Sequence, residues 1–179
     1  NDLDSFSTCN GVFNGYLNDP IWLNVTEELI MIDQTRITLG KGRTVINCDD
    51  ITMLNDAKLD GHALGYRYRL QHSDCLSSAH SGYCGGTHGG LGGRRCGGYW
   101  KAQKGRTVCD DYRYPKIPGS GGYHSTEGGA AVQINTKIIY IDGEIDVSGQ
   151  YESYAGGAGG SILIFADEVN GEFGKFKVH

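Results

Sequence analysis

An all-β fold is predicted for this chain, namely a right-handed parallel β-helix (a solenoid of stacked coils) with a long glycine- and cysteine-rich insertion. Short strands carry apolar, often β-branched residues at every second position, and no helical apolar spacing is sustained. Glycine, asparagine or aspartate separates these strands and allows sharp corners. The strand patterns also recur. Val132 and Ile162 are 30 positions apart, and Gly143 and Gly171 are 28 apart, as in stacked repeats.

The repeats divide the chain into three parts of a single β-helix segment. Residues 1–65 hold the first coils, residues 66–127 the insertion, and residues 128–179 the regular coils. An early coil is assigned because residues 57–61 match residues 145–149 in pattern. The insertion is too long for a corner loop. Neither end carries a recognisable cap, so the segment is expected to belong to a longer chain.

Composition argues against several classes of partner. Of the 179 residues, 29 are glycine and 3 are proline, without the three-residue period of collagen. The net charge is −5 and the lysines and arginines are scattered, whereas nucleic-acid binding needs a basic patch. No apolar run approaches the length of a membrane span. We therefore expect no nucleic-acid partner and no membrane span in this segment.

The cysteines are even in number and lie in and before the insertion: Cys9, Cys48, Cys75, Cys84, Cys96 and Cys109. They lack the spacing and the paired histidines of zinc sites, so disulfides are the favoured interpretation. Disulfides stabilise segments that are poor in core residues, and they form in oxidising compartments. An extracellular location is thus predicted. The suggested pairs are Cys9–Cys48, Cys75–Cys84 and Cys96–Cys109, with other connectivities left open.

One N-glycosylation sequon is present, at Asn24-Val25-Thr26. In a secreted chain Asn24 can carry a glycan. An unmodified asparagine is an equally good interpretation of the same three residues.

Two Cys-Asp-Asp triplets place pairs of acids at Asp49, Asp50, Asp110 and Asp111. Calcium prefers a shell of oxygen ligands, so these four carboxylates are candidate calcium ligands, completed by carbonyl groups of glycine turns. The alternative is that they are solvated acids at strand ends. No other cofactor is expected.

The glycine run from Gly85 to Gly93 is not followed by the helix of a phosphate-binding loop, so it is expected to pack backbone against backbone where no side chain fits. His88 within this run is predicted to hydrogen-bond local carbonyl groups, and binding of a metal or an anion is the alternative. Ser120 and Ser161, which also lie among glycines, are interpreted as turn residues.

Several glycine-rich blocks follow one order along residues 45–179: Asp60–Tyr66, Gly85–Gly93, Tyr114–Pro115, Pro118–Gly122, Gly128–Ala130 and Gly156–Ile162. In this order they resemble the glycine-rich repeat of very large secreted proteins of algae and other protists. The resemblance points to the shaft proteins of tubular flagellar hairs (mastigonemes) of heterokont algae, which are related to the diatom sexually induced proteins. The basic stretches Arg94–Arg95 and Lys101–Arg106 depart from the pattern.

That resemblance implies a non-catalytic extracellular protein that forms part of a filament or surface appendage. Its expected partners are further copies of itself or other filament subunits, and attached glycans. A carbohydrate-binding or adhesive module is the first alternative, because exposed aromatic rings can stack on sugars. The candidate rings are Tyr66, Tyr68, Tyr83, Tyr99 and Trp100.

A polysaccharide lyase or hydrolase is the second alternative, because such enzymes also use parallel β-helices and place carboxylates on one strand face. The candidate carboxylates are Asp142, Glu144 and Asp146. No lysine or arginine is expected beside them, and no nucleophile motif is present. An enzyme is therefore not predicted.

Overall fold

A computed structural model describes residues 20–67, 86, 88, 110–122, 126–152 and 156–179. In these ranges the chain is all-β, without a helix, and the all-β prediction is confirmed. The twelve strands are Ile21–Asn24 (β1), Glu28–Met31 (β2), Arg36–Thr38 (β3), Arg43–Asn47 (β4), Asp50–Met53 (β5), Lys58–Asp60 (β6), Ala131–Asn135 (β7), Ile138–Ile141 (β8), Glu144–Asp146 (β9), Ser161–Phe165 (β10), Glu168–Asn170 (β11) and Lys175–Lys177 (β12).

The strands form three parallel sheets of four strands each. The first sheet has the order β1-β4-β7-β10, the second β2-β5-β8-β11 and the third β3-β6-β9-β12. Each run of three consecutive strands thus gives one strand to every sheet, and we call these runs rungs 1 to 4. The arrangement is compatible with a parallel β-solenoid, in which each rung pairs with the next.

The inward faces of the strands form apolar rows that run through all four rungs. In the second sheet the row is Leu29, Ile51, Ile139 and Val169. In the third sheet it is Ile37, Leu59, Ile145 and Phe176. The members of these rows in rungs 2 and 3 are at most 1% exposed, so the core lies between the sheets and along the stack.

The recurrence of the first strand is confirmed, because Val132 pairs directly with Ile162. The predicted match of Gly143 with Gly171 places Ile145 opposite Phe173 in the next strand. In the structure Ile145 pairs with Phe176, three positions later, so this part of the predicted register is wrong. The reason is a different turn in rung 4. Gly171 adopts a φ of +142°, and a Cβ there would lie 2.0 Å from the carbonyl oxygen of Ile141.

The early coil is also confirmed, with a register that differs from the predicted one. Leu59 pairs with Ile145, two positions before the Val147 that the pattern suggested. A shift of two residues keeps every side chain on the same face of a strand, whereas a shift of one would reverse them all. The inward position of Leu59 was therefore predicted correctly in spite of the error.

Some of the described residues between β6 and β7 pack against the rungs through glycine backbone. The amide of Gly119 donates to the carbonyl of Gly129 at 2.8 Å, and the amide of Gly129 donates to that of Ala158 at 2.9 Å. A Cβ at Gly86 would lie 2.2 Å from the carbonyl oxygen of Ser120. The backbone packing predicted for this glycine run is thus confirmed at Gly86, and its other glycines lie outside the described residues.

Candidate functional site

The side of rung 4 that points away from rung 3 is exposed, and we call it the end face. It is formed by Ile162, Ile164, Val169 and Phe176, which continue the inward rows. Val169 is 60% exposed and Phe176 is 50% exposed, whereas their row neighbours Ile139 and Ile145 are fully buried. Apolar side chains at core positions are therefore presented to solvent at this end.

The backbone of rung 4 is open on the same side. In the described part of the chain, β10, β11 and β12 each pair with one strand only, as do β1, β2 and β3 at the opposite end. An edge strand presents unpaired N–H and C=O groups that can add another strand. The end face therefore combines apolar side chains with three hydrogen-bonding edges.

Charged side chains border this end face. In the outward rows, Lys175 continues the row that begins with Arg36, and Glu168 continues the row that begins with Glu28. Lys177 is paired internally, its Nζ lying 2.7 Å from Glu144. The two ends of the stack thus carry the same sign of charge in the corresponding rows.

A network of ion pairs covers the outer face of the third sheet. The Nζ of Lys58 lies 2.7 Å from Asp146, 2.9 Å from Glu144 and 3.3 Å from Asp60. The guanidinium of Arg36 also donates to Asp60. The expectation that no basic side chain lies beside the candidate carboxylates is therefore wrong for Glu144 and Asp146. The alternation of Lys58 with Asp60 on an outward face was the signal that sequence reasoning missed.

Each carboxyl group of this network has a lowered pKa. Burial would raise the pKa of Asp146, but hydrogen bonds from Lys58 and Ser148 outweigh it and bring it to about 2. Burial likewise opposes the lowered pKa values of Asp60 and Glu144, which hydrogen bonds from basic side chains produce. A glycosidase needs one carboxyl group with a raised pKa as its acid. None of the carboxyl groups of Asp60, Glu144 and Asp146 has such a raised pKa.

Asp142, the third candidate carboxylate, lies at the turn and away from this network. Its carboxylate accepts hydrogen bonds from the hydroxyl of Tyr140 at 2.8 Å and from the amide of Glu172 at 2.7 Å. Asp142 therefore holds the turn of rung 4 in place, and the structure does not bring the three candidate carboxylates together as one group.

His88, Asp110 and Ser161 form a buried polar cluster that joins the chain between β6 and β7 to the start of β10. The His88 Nε2 lies 3.3 Å from an Asp110 carboxylate oxygen and 3.3 Å from the Ser161 hydroxyl. In a catalytic triad the two partners use different ring nitrogens. Here the same ring nitrogen, Nε2, contacts both the carboxylate and the serine hydroxyl. The serine hydroxyl also donates to the carbonyl of Ile117 at 2.8 Å. The geometry is that of a structural attachment.

Asp110 is the acceptor at the centre of this attachment. Its Oδ2 also accepts from the amides of Lys116 and Ile117, both at 2.8 Å. Burial would raise the pKa of Asp110, but hydrogen bonds from His88 and these amides bring it to about 2. His88 was predicted to hydrogen-bond local carbonyl groups, and the structure gives it a carboxylate partner, Asp110. Ser161 was predicted to be a turn residue, but it is the first residue of β10.

Three of the four candidate calcium ligands have separate partners. Asp49 pairs with Lys137 at 3.2 Å, and Asp110 is enclosed by the cluster just described. Asp111 accepts from the amide of Arg113 at 2.9 Å. Across the described ranges, no three His, Cys, Asp or Glu side chains form a group that could hold a metal ion. The structure thus does not assemble Asp49, Asp50, Asp110 and Asp111 into one site.

Cys48 is a buried free thiol in the part of the chain that the structure describes. Its Sγ donates to the carbonyl groups of Asp50 at 3.0 Å and Glu27 at 3.2 Å, and burial raises its pKa. Its suggested partner Cys9 and the cysteines at 75, 84, 96 and 109 lie outside the described residues. The disulfide pairs therefore stay predictions.

The aromatic platforms suggested for sugar binding are not supported where the structure describes them. Tyr66 is only 5% exposed, which leaves almost no ring surface for a sugar, so the suggestion that it stacks on a sugar is wrong. Tyr68, Tyr83, Tyr99 and Trp100 lie outside the described residues. An exposed aromatic residue that sequence reasoning did not single out is Trp22, which is 59% exposed on β1.

A ladder of side-chain amides runs along the corner that follows the first sheet. Asn135 Nδ2 donates to Asn47 Oδ1, and Asn47 Nδ2 donates to Asn24 Oδ1, both at 2.7 Å. An open groove of about 370 Å³ lies beside this ladder and is lined by Asn24, Thr26, Asn47, Asp49, Asn135 and Lys137 among others. The sequon is thus located at one end of an amide ladder.

Comparison of the chain with models of protein families, with curated proteins and with solved structures gives no match. The resemblance to mastigoneme shaft proteins therefore rests on the residues alone and stays a prediction. Among the described residues, none belongs to a helix that is long and apolar enough to cross a membrane.

Proposed function

We propose that this protein is a non-catalytic extracellular structural protein whose copies stack end to end in a filament or surface appendage of the mastigoneme kind. The observation that carries the proposal is the end face, where Val169 and Phe176 occupy core rows yet are at least half exposed. Burying such side chains against a partner is favourable in proportion to the apolar area removed from water.

The opposite end of a second copy fits this end face in continuous register. Extending the three sheets would place Ile164 on Leu23, Val169 on Leu29 and Phe176 on Ile37 of the next copy. Every contact in these rows is apolar, as it is between the rungs within one chain. The edges of β10, β11 and β12 would pair with those of β1, β2 and β3, which satisfies the backbone groups of both.

The fold proposed for the assembled protein is a right-handed parallel β-helix with residues 66–127 as an insertion. Parallel strands joined by a crossover are right-handed in nearly all known sheets, which supports this hand. The extracellular location is supported by the even number of cysteines and by the ordered glycine-rich blocks. The same blocks support the mastigoneme-like role.

Sedimentation velocity over a range of concentrations, with electron microscopy of the same samples, tests the proposal. Residues 1–179, secreted under oxidising conditions, should form oligomers that grow with concentration and appear as filaments. Val169→Lys places a charge in the core row of the end face and should shift the sample towards monomer. Tyr112→Lys is the matched control, because Tyr112 is 84% exposed in the insertion and should leave assembly unchanged.

A sharp monomer at all concentrations would overturn the end-to-end assembly. So would equal effects of Val169→Lys and Tyr112→Lys, because assembly would then not use the end face.

A further inference from the structure

We propose that Asn24 carries an N-linked glycan whose first N-acetylglucosamine packs on the indole ring of Trp22. The proposal depends on the proposed function only for the secretory route, and its test does not involve assembly. It concerns one surface, formed by Trp22, Asn24 and Thr26, on the outer side of rung 1.

Trp22 and Asn24 lie on the same face of β1. Residues two apart in a strand project to the same side, and the next strand position, Leu23, faces inward and packs against the core. The indole of Trp22 is 59% exposed, and Asn24 and Thr26 are also exposed. An aromatic ring therefore lies beside the side chain to which a glycan would be joined.

The amide ladder orients Asn24 for this modification. Its Oδ1 accepts the hydrogen bond from Asn47 Nδ2 at 2.7 Å, on the side of rung 2. The Nδ2 of Asn24, which is the atom that bonds to the sugar, is therefore not the atom that the ladder uses. Within the described ranges this nitrogen donates no hydrogen bond. The glycan can be attached without breaking the ladder.

The chemistry of attachment is that of an oligosaccharyl transfer. The Asn24 Nδ2–C1 bond forms as the C1–O bond to a lipid-linked pyrophosphate donor breaks, and the pyrophosphate leaves with the bonding electrons. One proton of Nδ2 passes to a base of the transferase. Thr26 supplies the hydroxyl that the sequon requires, and the open groove beside Asn24 and Thr26 leaves both accessible.

The indole ring of Trp22 should hold the first sugar in one position on the surface of rung 1. A large aromatic side chain that is more than half exposed loses apolar hydration when a sugar ring with its C–H face covers it. The polar N–H of the indole can stay in water while the ring is covered. The glycan should therefore raise the thermal stability of the protein.

The test uses the full chain secreted from a eukaryotic host, with glycans trimmed to one N-acetylglucosamine. Intact mass should show one added sugar on the wild type and on Thr26→Ser, and none on Thr26→Ala. The glycan should raise the Tm of the wild type by about 2–4 °C over Thr26→Ala, the shift expected of one stacking contact in a chain of this length.

The role of Trp22 is tested by repeating the comparison in Trp22→Ala and in Trp22→Phe. The Tm gain from the glycan should disappear in Trp22→Ala and be partly kept in Trp22→Phe. An unmodified Asn24 in the wild type overturns the proposal. An equal Tm gain with and without the aromatic ring overturns the contact with Trp22. If Trp22→Ala does not fold, Trp22→Phe against wild type decides the same point by the size of the gain.

Discussion

Lys58 Nζ and Asp146 Oδ2 lie 2.7 Å apart, although 88 residues separate them in the sequence. Removing the ammonium would leave the Asp146 side chain, which is 8% exposed, without its cation. We expect Lys58→Met to lower the free energy of unfolding by about 2–3 kcal/mol, less than for a fully buried pair because Lys58 is partly exposed. Denaturant unfolding measures the loss.

Lys137→Met is the matched control for that variant. Lys137 and Asp49 form an ion pair in which both side chains are more than half exposed, so its loss should cost less than about 0.5 kcal/mol. Similar costs for the two substitutions would contradict the importance assigned to Lys58.

Acid should destabilise the protein in a defined pH window. Asp110 and Asp146 have a pKa of about 2 in the folded chain, against the ordinary 3.8. The unfolded chain takes up these protons at a higher pH than the folded chain does. The stabilisation that the two carboxylates provide is therefore fully present above about pH 4 and is lost as the pH falls towards about 2. Each group contributes up to about 2 kcal/mol. Thermal unfolding between pH 6 and pH 2 should show this loss.

Asp146→Asn identifies one of the two groups. The variant should be less stable than the wild type at pH 6 and should lose less on acidification, because one titrating carboxylate is gone. Parallel Tm profiles for the two proteins would show that Asp146 does not contribute to the acid sensitivity.

Gly129→Ala should destabilise the chain strongly, whereas Gly156→Ala should be tolerated. A Cβ at Gly129 would lie 1.7 Å from the carbonyl oxygen of Val147, and backbone cannot move aside cheaply. At Gly156 the nearest atom is the carbonyl oxygen of Gln150 at 3.5 Å, an ordinary contact. We expect a loss of about 3 kcal/mol or more for the first variant and below about 1 kcal/mol for the second.

Chemical denaturation of both variants measures this contrast. If Gly129→Ala were as stable as Gly156→Ala, the tight contact between the glycine backbone and Val147 would be absent in solution.

Salt should promote the proposed assembly. End-to-end stacking would place Lys175 next to Arg36 and Glu168 next to Glu28 of the next copy, and like charges directly opposite each other are unfavourable. Raising the ionic strength screens this repulsion. The oligomer fraction in sedimentation velocity should therefore rise with salt.

Lys175→Glu should have the same effect as salt, because it places an acid opposite Arg36 and so strengthens assembly at low ionic strength. Lys116→Glu is the matched control, since Lys116 is exposed between β6 and β7 and does not belong to the end face. Weaker assembly of Lys175→Glu would contradict the proposed register between copies.

The strands could be predicted from the sequence because each carries its own signal. In β5 and β8 the inward positions hold Ile51, Met53, Ile139 and Ile141, and the alternation is local. The register of the third sheet could not be predicted as well, because it depends on turn length. The turn after β11 holds Gly171 at a positive φ, and no local pattern fixes how many residues such a turn takes.

The charged network was harder to predict, because its members, from Arg36 in rung 1 to Lys177 in rung 4, come from all four rungs. Lys58, Glu144 and Lys177 meet only when the register of the third sheet is known. The attachment of His88 to Asp110 and Ser161 likewise joins three distant segments. No spacing in the sequence indicates such contacts, whereas the sequon at Asn24 consists of three contiguous residues and can be recognised from the sequence alone.

The placement of rungs 2 and 3 side by side has a consequence for how the chain reaches this structure. Ile21 and its partner Thr44 are 23 positions apart and Ile138 and Glu168 are 30 apart, but Thr44 and Val132 are 88 apart. Closing a longer loop costs more chain entropy and slows the search for its contacts. Rungs 1 and 2 should thus form as one kinetic unit and rungs 3 and 4 as another. The seam between them would close last, and its closure would set the folding rate.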